Sequence, residues 1–460
     1  MHSRDGKMNS ALKSLIFFIV IAVFGLAAFI HADAAVFNCP ADDVACLISA
    51  INLSNAASGK HTINLDPGTY TLTEKNNTTD GPNGLPSITG SVRIAGKGID
   101  KTTLKRDNSS PSFFRIFHVS ATGILILDGL TITGGVQHDR LDPLLLRSAG
   151  GGGIYNRGIL NVINSRISDN LDSFEGGPDG SGGGIFNNSG GVIIKNSILS
   201  GNYAGYFGTG GAVNSDGILT VENSTFTKNF APGLAGGAIY NAGSADISNT
   251  SFMSNWSDNG GAVLNAGNIS ITNSTFYANG ADSHGGGIAG WGASAVTNST
   301  NCTFYRNYAK SSGAGIITDG EGLVQLQNTI IAGNEASFGP GRDCSGPMVS
   351  LGNNLIGDLA GCTINIQPTD ITGDPKLGVF IDNGLPGRRY VPLLPDSPAI
   401  DAGNNDVCWD LPADQLGNPR VIDGNHDGTS ICDIGAIEFM PTGTARQAKP
   451  ALKFFQSRRK

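Results

Sequence analysis

Side chains able to bind a metal or a sugar, or to move a proton, are thinly spread in this 460-residue chain, and their spacing singles out three places. The first is Asp423-Gly424-Asn425-His426-Asp427-Gly428, with oxygen-bearing side chains at alternate positions and then a glycine. Alternate residues of a tight loop point at one centre, which is how a Ca²⁺ loop of the D-x-N-x-D-G kind opens. The twelfth position, where an EF-hand carries a bidentate Glu, is Ile434, so Asp433 or Glu438 would have to close the shell. The expected role is structural Ca²⁺ binding without chemistry; the alternative is an Asp/Asn/Gly turn bonded to its own backbone. The second place is the insertion from Val136 to Ala149, where His138, Asp139, Arg140, Asp142 and Arg147 bring acid, base and imidazole together. Arg140 and Asp142 are its ligand-binding candidates, against a loop that merely shields one side of the fold. The third is the series Tyr203, Phe230, Trp256 and Tyr308, each directly after a recurring Asn. Their ring faces suit sugar rings, and the alternative is a hydrophobic stack under loops; Gly280 and Glu335 interrupt the series.

Other chemistries lack their residues. No Cys-x-x-Cys or His-spaced metal set occurs, and the Gly-rich runs recur with a period, as coil corners would, rather than as phosphate-binding turns. With 30 basic against 38 acidic residues the net charge is −8, which argues against a nucleic-acid partner. Charged residues are 15% and Gly numbers 66, so long amphipathic helices are excluded and turns with short strands remain.

The elements that would position these residues follow from an internal repeat. Seven segments overlay, beginning at Gly151, Gly182, Gly210, Gly236, Gly260, Gly285 and Gly313. Their shared Asn falls at 164, 196, 223, 249, 273, 301 and 328, in steps of 32, 27, 26, 24, 28 and 27 residues. Each unit holds three short apolar stretches ended by Gly, Asn or Asp, too short for helices. A propeller blade needs about 40–50 residues, so the period predicts an all-β, right-handed, single-stranded parallel β-helix with three short strands per coil, stacked at about 4.8 Å. Six residues after each shared Asn stands a second Asn (170, 202, 229, 255, 279, 307 and 334), and three before that lies Ile167, Leu199, Phe226, Phe252, Phe276, Phe304 or Ile331. Stacking makes the latter an inward column and both Asn sets corner ladders.

These motifs carry a resemblance. Gly236-Gly237-Ala238-Ile239 and the FxxN motifs Phe226 to Asn229, Phe252 to Asn255, Phe276 to Asn279 and Phe304 to Asn307 resemble the repeats of chlamydial polymorphic outer membrane proteins. Ser397 to Gly403, Asp414 to Arg420 and Asp433 to Glu438 resemble the choice-of-anchor module of exported bacterial β-helix proteins, with Leu416 where that module commonly has Arg. The resemblance implies a right-handed β-helix passenger, often an adhesin, associated with the outer membrane or cell surface.

The ends complete the layout. Residues 1–34 read as a cleaved signal peptide: basic Arg4, Lys7 and Lys13, an apolar run from Leu15 to Ile30, then Ala32-Asp33-Ala34. Residues 35–60 form an N-terminal cap with a short helix near Asp42 to Ile51, residues 61–362 the coils, 363–440 the C-terminal module, and 441–460 a basic disordered tail. Six cysteines pair by proximity as 39/46, 344/362 and 408/432, three staples suited to an oxidising compartment, and Cys302 remains as a buried free thiol. The expected protein is a secreted or cell-surface monomer without a transmembrane helix in its mature chain. Its expected function is non-catalytic, namely adhesion or glycan binding through a solenoid face to a polysaccharide or cell-surface component. A polysaccharide lyase or glycoside hydrolase is the alternative, with no catalytic residues assignable.

Overall fold

The computed structural model of the chain describes residues 34–137, 150–172, 182–206 and 208–441. The expected signal peptide, through residue 33, and the expected disordered tail, from residue 442, lie outside these. The fold is a parallel β-helix, with strands of 21, 12 and 8 members in three parallel sheets. Equivalent residues of successive coils lie in register, as in Phe226, Phe252, Phe276 and Phe304.

One coil shows how the sequence makes it. Ile239–Asn241 and Ser244–Ser248 enter the broad 21-stranded sheet as two columns, and Ser251–Met253 enters the 12-stranded phenylalanine sheet. These are the three expected stretches. A further strand, Trp256–Asn259, starts directly after the second Asn and belongs to the eight-stranded short sheet. Three residues per unit turn the chain by adopting positive φ: Gly236 at 70°, Asn249 at 49° and Ser254 at 53° in this coil, with equivalents in all seven. The two Asn sets therefore divide the work expected of both. The first set makes left-handed corners, whereas the second lies just after such a corner and builds the ladder.

That ladder is continuous and buried. Asn170, Asn202, Asn229, Asn255, Asn279 and Asn307 each donate Nδ2 to the Oδ1 of the next coil's Asn at 2.9–3.1 Å. Asn334 ends the chain of donors on Asp343 Oδ1 at 2.8 Å, where only an acceptor is needed. Beside it the four Phe rings stack at 4.5–5.0 Å between centroids and within 14° of parallel. A hydroxyl column runs through Ser165, Ser197, Ser224, Thr250 and Ser274, accepting backbone N–H groups of the preceding coil. Cys302 takes the next place in that column, its thiol directed at the Ile271 and Thr300 carbonyls. Burial pushes this free thiol up to about 11, so it is inert.

Both ends are stapled as the spacing predicts, by Cys39–Cys46, Cys344–Cys362 and Cys408–Cys432. Helix α1 (Val44–Ala56) covers the first coil, capped by Asp43 on Cys46 N–H, and buries Leu47, Ala50 and Ile51. Stacking continues past Cys362, because Ile371–Thr372 still pairs with Leu355–Ile356. The chain then doubles back along the outside of the phenylalanine sheet. Phe380 stacks on Tyr277 at 4.1 Å, Gly387 N–H donates to Thr225 Oγ1, Ser251 Oγ donates to Arg389 O, Thr275 Oγ1 donates to Gln415 Oε1, and Ala436 N–H donates to Thr303 Oγ1. The module thus covers one face of the solenoid and leaves the short sheet clear.

Candidate functional site

The short sheet carries the aromatic series. From Ala204 onward its inward positions are small (Ala204, Ala231, Ser257, Ala281 and Ala309, all fully buried), whereas Gln137 and Asp172 fill that column in the two coils before. Its outward positions bring Tyr203, Phe230, Trp256, Gly280, Tyr308 and Glu335 into one register column. Tyr203 and Phe230 pack at 5.5 Å. Gly280 does not break the column; it shapes it. A Cβ there would sit 2.1 Å from the Trp256 ring, so only Gly lets the indole lie across this coil and stack on Tyr308, 5.8 Å away and 22° from parallel. Trp256 Nε1 donates to Asp282 Oδ2 at 3.0 Å, and the Tyr308 hydroxyl pairs with Ser337 Oγ at 2.9 Å. Both rings remain half-buried, with polar groups around their rim. Among the described residues this is an oriented aromatic pair with a polar rim.

Arg140 and Asp142, with His138, Asp139 and Arg147, lie outside the described residues. A polar cluster that sequence reasoning missed stands on the outer face of the broad sheet. His118 Nε2 bonds Asp80 Oδ2 at 3.1 Å, Arg157 Nη1 reaches the same oxygen at 3.3 Å, and His118 stacks on Tyr155. The Arg115 guanidinium lies 4.8 Å from the Tyr155 ring centre and donates to Asp80 O. Burial and the Arg115 charge hold His118 below the usual imidazole range. Partial burial raises the Asp80 carboxyl, but hydrogen bonds from His118 and Arg157 outweigh it and hold Asp80 low. The residues come from positions 80, 115, 118, 155 and 157, and no local spacing could have announced them. Strand register alone brings Phe117–Val119 beside Ile154–Asn156.

The Asp423 loop is bonded to itself. Asp423 Oδ1 and Asn425 Oδ1 both accept Asp427 N–H, Asp423 Oδ2 accepts Gly428 N–H, and Asp427 Oδ1 accepts Thr429 N–H. Asp401 receives the Gly424 and Asn425 N–H groups from the other side. Asp433 turns away, accepting Asp401 N–H and Phe439 N–H within a buried group with Arg420, Glu438 and Asp414. Among the described residues no three His, Cys, Asp or Glu side chains gather so as to hold a metal ion.

Arg420 ties the module to the coils, donating to Asn273 Oδ1 at 3.0 Å and to Gly435 O at 2.8 Å. The stretches that resemble the choice-of-anchor module, Asp414 to Arg420 and Asp433 to Glu438, thus supply its buried polar core and its docking groups. No helix among the described residues is long and apolar enough to cross a membrane. Compared with models of protein families, with curated proteins and with solved structures, the chain matches none.

Proposed function

We propose that this is an exported, non-catalytic β-helix protein, secreted or held at the cell surface, that binds glycan through the aromatic platform of its short sheet. The observation that carries the reading is the half-buried Trp256 ring laid across Gly280 onto Tyr308, with Asp282 and Ser337 hydrogen-bonded at the rim. Three disulfides suit an oxidising exterior. The leader-like residues 1–34 and the resemblance to polymorphic outer membrane protein repeats and to the choice-of-anchor module point the same way.

The alternative, a polysaccharide lyase or glycoside hydrolase, draws support from the Asp80–His118–Arg157 group. That group holds one carboxylate, whereas glycoside hydrolysis ordinarily uses a pair at about 5–9.5 Å. A glycan array tests the preferred reading. Trp256→Ala and Tyr308→Ala should each weaken binding about tenfold or more, the cost of losing a well-packed aromatic anchor. Trp409→Ala, which removes an exposed aromatic in the C-terminal module, should leave it unchanged. Equal binding by all three variants rejects the platform.

A further inference from the structure

The strand that carries Gly280 leads from the platform to a pocket. Gly280–His284 places Gly280 under the Trp256 ring, Asp282 on the indole N–H, and His284 at the edge where the short sheet meets the outer face of the broad sheet. There a cavity of about 280 Å³ is lined by His284, Gly290, Trp291, Ile317, Thr318 and Asp319. It exists because one unit of the repeat departs from its neighbours. The outward column running Tyr240, Leu264, Ala289, Ile317 shrinks at Ala289, and the adjacent column of Asn241 and Asn265 drops to Gly290. The turn after Gly290 is also longer: residues 291–295 separate its strands, where residues 266–267 suffice one coil earlier. That extra chain raises Trp291, 44% exposed, as one wall. Asp319 Oδ2 accepts Gly292 N–H at 2.7 Å and fixes the turn. His284 Nδ1 is held by Ser312 Oγ at 3.0 Å, which sets the ring's orientation.

We infer that the platform and this pocket are two subsites for one neutral oligosaccharide, running along the Gly280–His284 strand, with one ring on Trp256/Tyr308 and another, two units along, against Trp291. The inference rests on the glycan-binding reading and extends it to ligand size, direction and charge. Gly280 and His284 are four residues apart on a strand whose register shifts against Trp256–Asn259, at most about 13 Å, which three linked sugar rings can span. The cavity sits at the small end of ligand pockets, about 300–1,000 Å³, and holds one ring. The Trp291 indole offers a ring face an apolar contact, and the His284 imidazole and Asp319 carboxylate in the same lining offer its hydroxyls polar partners. The pocket lining contains no Lys or Arg, and Asp282 stands on the path, so a uronate chain would meet carboxylates at both points.

Titration calorimetry of the full chain with cello-, chito- and manno-oligosaccharides of one to six units tests this, with oligogalacturonates as the acidic arm. Affinity for a neutral series should rise at least tenfold from one to three units and then level off. Trp291→Ala should abolish that rise while keeping the single-unit affinity, and His284→Ala, a smaller change, should reduce it. A length-independent affinity in the unaltered protein overturns the inference, as does a Trp291→Ala variant with the same melting temperature that still gains from the third unit. Preference for the oligogalacturonates overturns it also. Binding of no sugar at all would instead sink the glycan-binding reading on which it rests.

Discussion

Asn255 shows what one residue contributes when a repeat stacks. Its Oδ1 accepts both the Nδ2 and the backbone N–H of Asn229, and its Nδ2 donates to Asn279 Oδ1 and to Phe226 O. All of this happens in a fully buried site, so replacement by Leu would strand donors above and an acceptor below, each costing about 1–3 kcal/mol. Asn249, six residues earlier, earns its place differently, by tolerating φ of 49° at a corner. Asn255→Leu should therefore lower unfolding free energy by about 2–5 kcal/mol in urea denaturation. Asn249→Gly, which keeps the left-handed backbone, should stay within about 1 kcal/mol. Comparable losses in the two variants would mean that the ladder and the corner are not separate devices.

The C-terminal module is the element whose stability depends most on protons. Its core buries Arg420 against Asp414, Asp433 and Glu438, one guanidinium facing three carboxyls. Burial raises Asp433 to about 7 and Glu438 to about 8, with Asp433 adding to the latter and Arg420 offsetting both. A carboxyl raised in the folded state binds more protons there than when unfolded, so stability declines with rising pH between the unfolded value near 4 and the folded one. Asp343, raised to about 6 by burial at the end of the ladder, acts in the same sense. The melting temperature should fall as pH climbs from about 5 to 8.5, and Glu438→Gln should flatten that slope. A flat or rising profile in the parent, or an identical slope in the variant, would contradict this assignment. The element also shows what spacing leaves unread. Asp414 to Arg420 stood out as a motif, yet Gln415 finds Ser251 and Thr275 only because the chain reverses along the phenylalanine sheet, over a separation of more than a hundred residues.

At the scale of the whole molecule, what a coil repeats was legible and what a coil breaks was not. The period, the Phe column and the second Asn column are local patterns copied many times, which stacking converts directly into register, and the three staples join cysteines close in sequence. The short sheet escaped notice because its strands of two to six residues follow no shared composition, with Gln137 and Asp172 facing inward in the first two and small residues after them. Gly280 read as an interruption of the aromatic series, since sequence order does not reveal that Trp256 needs an absent Cβ in the next coil. Likewise Asp80, His118 and Arg157 meet only through register and a long connection. The pocket beside Ala289 to Ala295 likewise emerged only from the neighbouring columns.

The central claim is binding without turnover, and one measurement addresses it most directly. Purified protein is incubated with a panel of neutral and acidic polysaccharides, with retention on each polymer and release of reducing or unsaturated ends read from the same samples. The account predicts retention on at least one neutral polymer, lost in Trp256→Ala, with no new ends above a protein-free control. New ends that accumulate with time and protein concentration, and that vanish in an Asp80→Asn variant, would contradict it and identify the protein as an enzyme.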